Sequence, residues 1–240
     1  NFKDSKASGI WDINEALDLI KGGNWPNVAN INPAAFVDGL FSVHLNNDGS
    51  SNQVITNGID LTKGGLVWGK SRNLSEHSFL VDSARGKGSN NNFKVLRSGS
   101  TAIEQDLSNR SLSSFNSNGF TFQGADDQFN SSGNEYVYWT FRKQPKFFDV
   151  VTYSGNGTAG RTVAHNLGSV PGMMIVKETN GTRNWIVYHR SLGNTKYLYL
   201  NATDAEAAHV TAWNDTSPTS SVFSVGTANN VNRDGGTYVA

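Results

Sequence analysis

The chain has 240 residues, with 20 basic and 20 acidic side chains and no cysteine. That balance argues against nucleic acid as the main partner, because phosphate binding needs a basic excess on at least one face. No run of about 18 apolar residues is present to span a membrane, and without cysteine there is no disulfide frame and no thiolate metal site.

The length suits one large or two ordinary domains with real cores. Gly, Ser, Asn and Thr are abundant, Pro is sparse and aromatics are scattered throughout. This favours many short strands joined by polar turns. Charged residues make up 17%, below the usual share of about 25%. The start, Asn1-Phe-Lys-Asp4, has neither an initiator Met nor an apolar leader, so a piece of a longer polypeptide is expected.

Residues 1–37 form an N-terminal segment with one helix. Asp12 can cap it, with Glu15 three residues on. Ile13, Ala16, Leu17 and Ile20 then fall on one stripe, and Gly22-Gly23 supplies the stop. So short a helix cannot stand alone. Two readings remain open: it packs on the next domain, or it docks or oligomerises through Trp11, Ile13, Leu17, Ile20 and Trp25.

The rest reads as a duplication. Gly65 and Gly172, Lys70 and Lys177, and Gly86 and Gly193 each stand 107 residues apart. Phe41 and Phe148 keep that offset, while Phe120-Thr-Phe122 and Phe223-Ser-Val225 stand 103 apart and Gly133 and Gly235 stand 102 apart. The drift implies small deletions in loops of the second copy. The expected fold is therefore mainly β. Two tandem β-sandwich domains of jelly-roll or LamG-like type, 38–144 and 145–240, follow the short helix. Strands are expected at Phe41–Leu45, Gln53–Ile55, Gly65–Lys70, Ser78–Asp82, Phe93–Leu96, Gly119–Gln123 and Glu135–Arg142. The second copy echoes them at Phe147–Tyr153, Thr162–Ala164, Met173–Lys177, Trp185–Tyr188, Tyr197–Leu200 and Val222–Val225. Ala240 falls opposite Tyr138, so the second copy is expected to lack its last strand residues. The connection Gln144-Pro-Lys146 is short, which predicts closely docked sandwiches.

The reactive residues form no catalytic constellation. Glu104 and Asp106 would share one strand face, but a retaining glycosidase pair needs a matching geometry and the second copy has Ala207-Ala208 opposite. Asn46–Gly49 and Asp126-Asp127 read as turns rather than calcium ligands. The five histidines show no metal spacing. No enzyme, cofactor or metal is expected. Between the copies Asp82 aligns with His189 and Arg85 with Leu192: apolar pattern and turn glycines are shared, reactive groups are not. Tyr197, Tyr199 and Trp213 are candidates for glycan contact by stacking; core packing is the competing role.

Gly9-Ile-Trp-Asp-Ile-Asn-Glu15, Gly64-Gly-Leu-Val-Trp68 and the run from Tyr136 to Tyr153, followed by Ala164–Gly172, resemble bacteriophage virion proteins. The run is similar to a repeated module of tail fibres and related structural proteins of marine phages. The resemblance implies a LamG-like or jelly-roll fold and a place on the virion. It implies a homotrimer bound to other virion proteins, with host-surface glycan as a further partner. It carries no catalytic residues over. A capsid-decorating or head-fibre protein without receptor role, and a polysaccharide depolymerase, are the alternatives.

Overall fold

The structure is a computed structural model and describes residues 37–240 apart from Asp48. The expected helix, with Trp11, Ile13, Leu17, Ile20 and Trp25, lies outside the described residues.

The chain from Val37 is mainly β. The first half contributes β1 (Phe41–Asn46), β2 (Val54–Thr56), β3 (Gly65–Ser71), β4 (Phe79–Asp82), β5 (Leu96–Arg97), β6 (Leu112–Asn116), β7 (Gly119–Phe122) and β8 (Tyr136–Arg142). They form a five-stranded sheet, β1-β8-β3-β4-β5, and a three-stranded sheet, β2-β7-β6. The second half contributes β9 (Thr152–Ser154), β10 (Arg161–Ala164), β11 (Met173–Glu178), β12 (Ile186–His189), β13 (Lys196–Tyr199), β14 (Ala207–Ala208), β15 (Val222–Val225) and β16 (Thr237–Val239). Here the sheets are β14-β13-β12-β11-β16-β9 and β10-β15. All of these pairings are antiparallel.

In each large sheet the last strand of the half inserts between its first and third strands. The registers also correspond. Asn46 and Ser71 both stand opposite Tyr136, as Tyr153 and Glu178 stand opposite Tyr238. Leu66 faces Asp82 as Met173 faces His189. Each of these equivalences keeps the sequence offset for its region.

Local bonds follow the same plan. The Tyr136 hydroxyl donates to Asp127 O and accepts from Ser131 N–H. The Tyr238 hydroxyl donates to Asn229 O and accepts from Arg233 N–H, closing the short helix α1 (Asn229–Asn232). Tyr138 donates to Phe129 O; in the second half Tyr153, from the neighbouring strand, donates to the equivalent Val231 O. A carbonyl between strands, in a turn of the first half and in α1 of the second, is thus satisfied from a different strand each time.

Three apolar layers separate the four sheets. Val67, Phe79, Val81, Tyr136 and Tyr138 pack against Ile55, Leu112, Phe120 and Phe122 in the first half. Met174, Val176, Tyr188 and Tyr238 pack against Val163, Phe223 and Val225 in the second. A third layer joins the opposite faces of the two large sheets: Leu66, Trp68, Leu80 and Leu96 meet Val150, Ile175, Trp185 and Val239. Trp185 Nε1 locks this junction by donating to Arg97 O at 3.0 Å and Ser100 O at 3.1 Å. Val37–Ala240 consequently packs as one unit. β4 is buried at all four positions, which explains why Phe-Leu-Val-Asp carries no alternation.

Four strands depart from the sequence expectation. β6 has no counterpart in it, because Leu-Ser-Ser-Phe-Asn carries little β signal. β14 has none either, and β5 keeps only Leu96 of the expected Phe93–Leu96. β9 is shorter than the expected Phe147–Tyr153. Phe148 instead exchanges backbone bonds with Gln144.

Candidate functional site

The aromatic trio does not form a stacking surface. Trp213 is 1% exposed, its Nε1 donates to Lys196 O, and its ring packs edge-on against Tyr188. Tight turns at His209–Ala212 and Val210–Asp215 swing the indole inward. Tyr197 is also buried and shares a 2.9 Å hydroxyl contact with the half-buried Tyr199. Stacking on a sugar needs an open ring face. Trp213 and Tyr197 offer none and are core residues; Tyr199 alone keeps partial exposure.

The acidic candidates are occupied locally. Glu104 pairs with Arg85 at 3.3 Å and Lys94 at 3.0 Å, while Arg85 also holds Asp82 at 2.5 Å. Asp106 accepts from Ser89 N–H and Oγ, which lowers its pKa below the ordinary carboxylate value. A general acid needs the opposite shift. Asn46 exchanges amide bonds with Gln53. Asp126 caps its own loop through Gln128 N–H and pairs with Arg110. Among the described residues, no group of three His, Asp or Glu side chains stands together as a metal site.

A buried charge cluster sits on β11. The fully buried Glu178 side chain is held by Arg233, with Nε at 2.8 Å and Nη2 at 2.6 Å from Oε1. Arg183 Nε stands 3.0 Å from Oε2. The adjacent Lys177 is buried as well, and its Nζ donates to Glu178 O and Gly181 O. Desolvation pushes its pKa down to about 8. Lys70, its counterpart in β3, likewise donates to a loop carbonyl, that of Glu76. The lysines tie loops to the sheet.

A cleft of about 830 Å³ lies between the two large sheets, beside the link that joins the halves. Leu66, Trp68 and Leu80 line one wall; Phe148, Met173 and Ile175 line the other. His165 also borders it and is 8% exposed. Its Nδ1 accepts from Leu167 N–H at 3.2 Å, while its buried Nε2 has no partner. The cleft is thus mostly apolar, with one buried ring nitrogen at its border that has no hydrogen-bond partner. Neither Glu178 nor His165 carried a sequence signal of its own. The 107-residue offset sets Ala164 against Asn57; only the ladder register, in which Val163 pairs with Phe223 as Ile55 pairs with Phe120, sets His165 in that place.

Fold and cleft define a mainly β protein of stacked antiparallel sheets. Residues 38–240 match the family described as Domain of unknown function (DUF7483), and the chain belongs to that family. No curated protein and no solved structure matches it.

Proposed function

We propose that residues 38–144 and 145–240 are two copies of one jelly-roll or LamG-like module. In this reading the chain is a non-catalytic structural segment of a bacteriophage virion, in a tail fibre that meets the host surface. The observation that carries the structural reading is the shared ladder register of two halves whose reactive groups differ. Asp82 stands where His189 stands, and Ser71 where Glu178 stands. The sequence resemblance to marine phage virion proteins supports the location. Trimeric assembly with other virion proteins belongs to the same reading. Host glycan contact then falls to Tyr199 and the polar loops, and several copies engaging together compensate for weak single contacts.

Antibodies raised against residues 38–240 should label tail fibres in electron micrographs of particles that carry the protein. Label on the capsid favours a head-fibre role, and unlabelled particles remove the virion assignment. The purified protein should compete with those particles for adsorption to host cells; failure to compete removes the attachment role. Host polysaccharide should keep its viscosity with the wild type and with Glu104→Gln alike. A drop with the wild type that the variant abolishes would establish a depolymerase.

A further inference from the structure

The loop after β11 repeats the loop after β3, and one charge cluster sets the two apart. Arg72 N–H bonds Glu135 O as Thr179 N–H bonds Thr237 O. Asn73 Oδ1 accepts from Glu135 N–H at 3.0 Å, as Asn180 Oδ1 accepts from Thr237 N–H at 2.9 Å. Ser131 N–H and Arg233 N–H each bond the hydroxyl of the tyrosine that ends the ladder, Tyr136 and Tyr238. In this frame Ser71 takes the place of Glu178, Glu76 that of Arg183 and Ser131 that of Arg233. The first half manages with the serine: Ser71 is buried, and its Oγ accepts from Leu74 N–H at 3.1 Å. The fold therefore does not require a carboxylate and two guanidiniums there, and burying them carries a desolvation cost that a serine avoids.

The two arginines are used unequally. Arg233 is engaged by the protein: Nε and Nη2 meet Glu178 Oε1, and Nη1 donates to Asp234 O at 3.2 Å. Arg183 meets Glu178 only through Nε, 3.0 Å from Oε2 and outside hydrogen-bond geometry. Among the described residues neither of its Nη groups has a partner. Nε and Oε2 are both sealed from water, while the Arg183 side chain as a whole is 35% exposed. The Nη edge is thus the part of the guanidinium left for a ligand. Gly181 lets the loop lie directly on the carboxylate, since an added Cβ would fall 2.2 Å from Oε2.

Arg183 stands in a concavity. Glu178, Gly181, Thr182, Arg183 and Arg233 border about 350 Å³. Thr182 is exposed, and its hydroxyl has no bond among the described residues. Three cations, Lys177, Arg183 and Arg233, stand with two anions, Glu178 and Asp234, which leaves a single positive charge. One monoanion balances it, whereas a dianion leaves excess negative charge beside a buried carboxylate. A planar guanidinium edge offers two parallel N–H donors, the spacing that a carboxylate accepts with both oxygens.

We propose that this concavity is a binding site for the carboxylate of a monoanionic acid. Arg183 Nη1 and Nη2 donate to the two carboxylate oxygens, and the Thr182 hydroxyl is a further donor. Glu178 does not touch the ligand; it holds Arg183 from the buried side and sets the charge of the site. Arg233 neutralises Glu178, so that the charge of Arg183 is left for the ligand. The site belongs to the second half alone and is independent of any role in a virion.

The test titrates the 240-residue chain at neutral pH with acetate, glucuronate and sulfate, at an ionic strength held constant with chloride. Amide and arginine Nε resonances report binding. Acetate and glucuronate should shift the Arg183 Nε signal and the Gly181, Thr182 and Arg183 amides, and saturate in roughly the millimolar range. Sulfate should bind more weakly. Arg183→Gln should weaken both carboxylates by about tenfold or more. Arg110→Gln, which removes an equal charge outside the site, should leave them unchanged. Arg183→Lys keeps the charge without the fork; it should also lose affinity, and it serves if Arg183→Gln does not fold. Glu178→Gln adds one unit of positive charge and should move the preference toward sulfate; the exposed Asp234→Asn makes the same change and serves if Glu178→Gln does not fold. Glucuronate tighter than acetate assigns a sugar acid and equal affinities a simple acid, and either result upholds the site. Shifts that fail to saturate, or that persist in Arg183→Gln, overturn it. Full affinity in Arg183→Lys overturns the bidentate fork. Sulfate tighter than acetate, or a preference that neither charge variant moves, overturns the choice of a monoanionic carboxylate.

Discussion

Glu178 and Lys177 are neighbours on β11 with different solutions to burial. The carboxylate of Glu178 is neutralised by Arg233 and Arg183, whose side chains remain 34% and 35% exposed. Glu178→Ala should cost about 3 kcal/mol in denaturant unfolding, the lower end for a broken buried pair, because both arginines can rehydrate. Lys177 has only carbonyl partners, so its charged form carries a desolvation penalty. Its folded pKa of about 8 lies below the ordinary lysine value of 10.5. The unfolded chain therefore binds more protons between those values, and this contribution to stability rises with pH from about 8 to 10.5. Above about pH 10 the buried hydroxyls of Tyr138 and Tyr153, whose pKa values burial raises, oppose it. Lys177→Met should flatten the rise between pH 8 and 10 while leaving the loss at higher pH. Little of this was legible in the sequence. Lys177 follows the continuous apolar run Met173–Val176 that marks the strand, yet nothing local tells a buried lysine from an exposed one. Trp213 misleads in the opposite direction: its Asn-Asp-Thr sequel has surface composition, but the turn carrying it folds the ring inward.

Strands with a strong β pattern were readable, and those defined by their partners were not. β3 and β8 announce themselves through β-branched and aromatic residues, and the offset between the halves, 107 for β3 and 102 for β8, places their counterparts. β6 forms because β7 offers it a ladder, and its Ser-rich sequence gives little warning. β9 shows the converse. Phe147–Val151 has strand composition, but only Val151, which exchanges backbone bonds with Ala240, continues the pairing beyond Thr152, which stands opposite Val239. Turn glycines test how tightly these elements meet. Gly119 opens β7 at φ 117°, and an added Cβ would lie 1.9 Å from Ile55 O. Gly119→Ala should loosen the β2–β7 pairing and cost about 2 kcal/mol or more in thermal unfolding. Gly58, at φ 83° with open space around it, should cost only the conformational strain of about 1 kcal/mol on the same change.

The middle apolar layer makes the two halves one body. A single sandwich buries one face of its large sheet; here the second face of each is buried by the other half, through Leu80, Leu96, Val150, Trp185 and Val239. The short connection read from Gln144-Pro-Lys146 agrees with that arrangement. The interlocking faces were not legible, because burial on both sides erases the alternation that would mark them. Residues 145–240 expressed alone should self-associate or bind ANS strongly, as measured by light scattering and dye fluorescence, because the removed half leaves that apolar face bare. The placement of first and last strands side by side has a mechanical consequence. Phe41, where the first half begins, stands opposite Phe141, near its end. Tension that draws these two points apart loads the β1–β8 ladder from one end. The pairs then part in succession, as in a zipper, rather than resisting together in shear. Under axial load this half would yield at low force through its outermost strand, while the inner β3–β4 ladder, clamped between two apolar layers, remains closed.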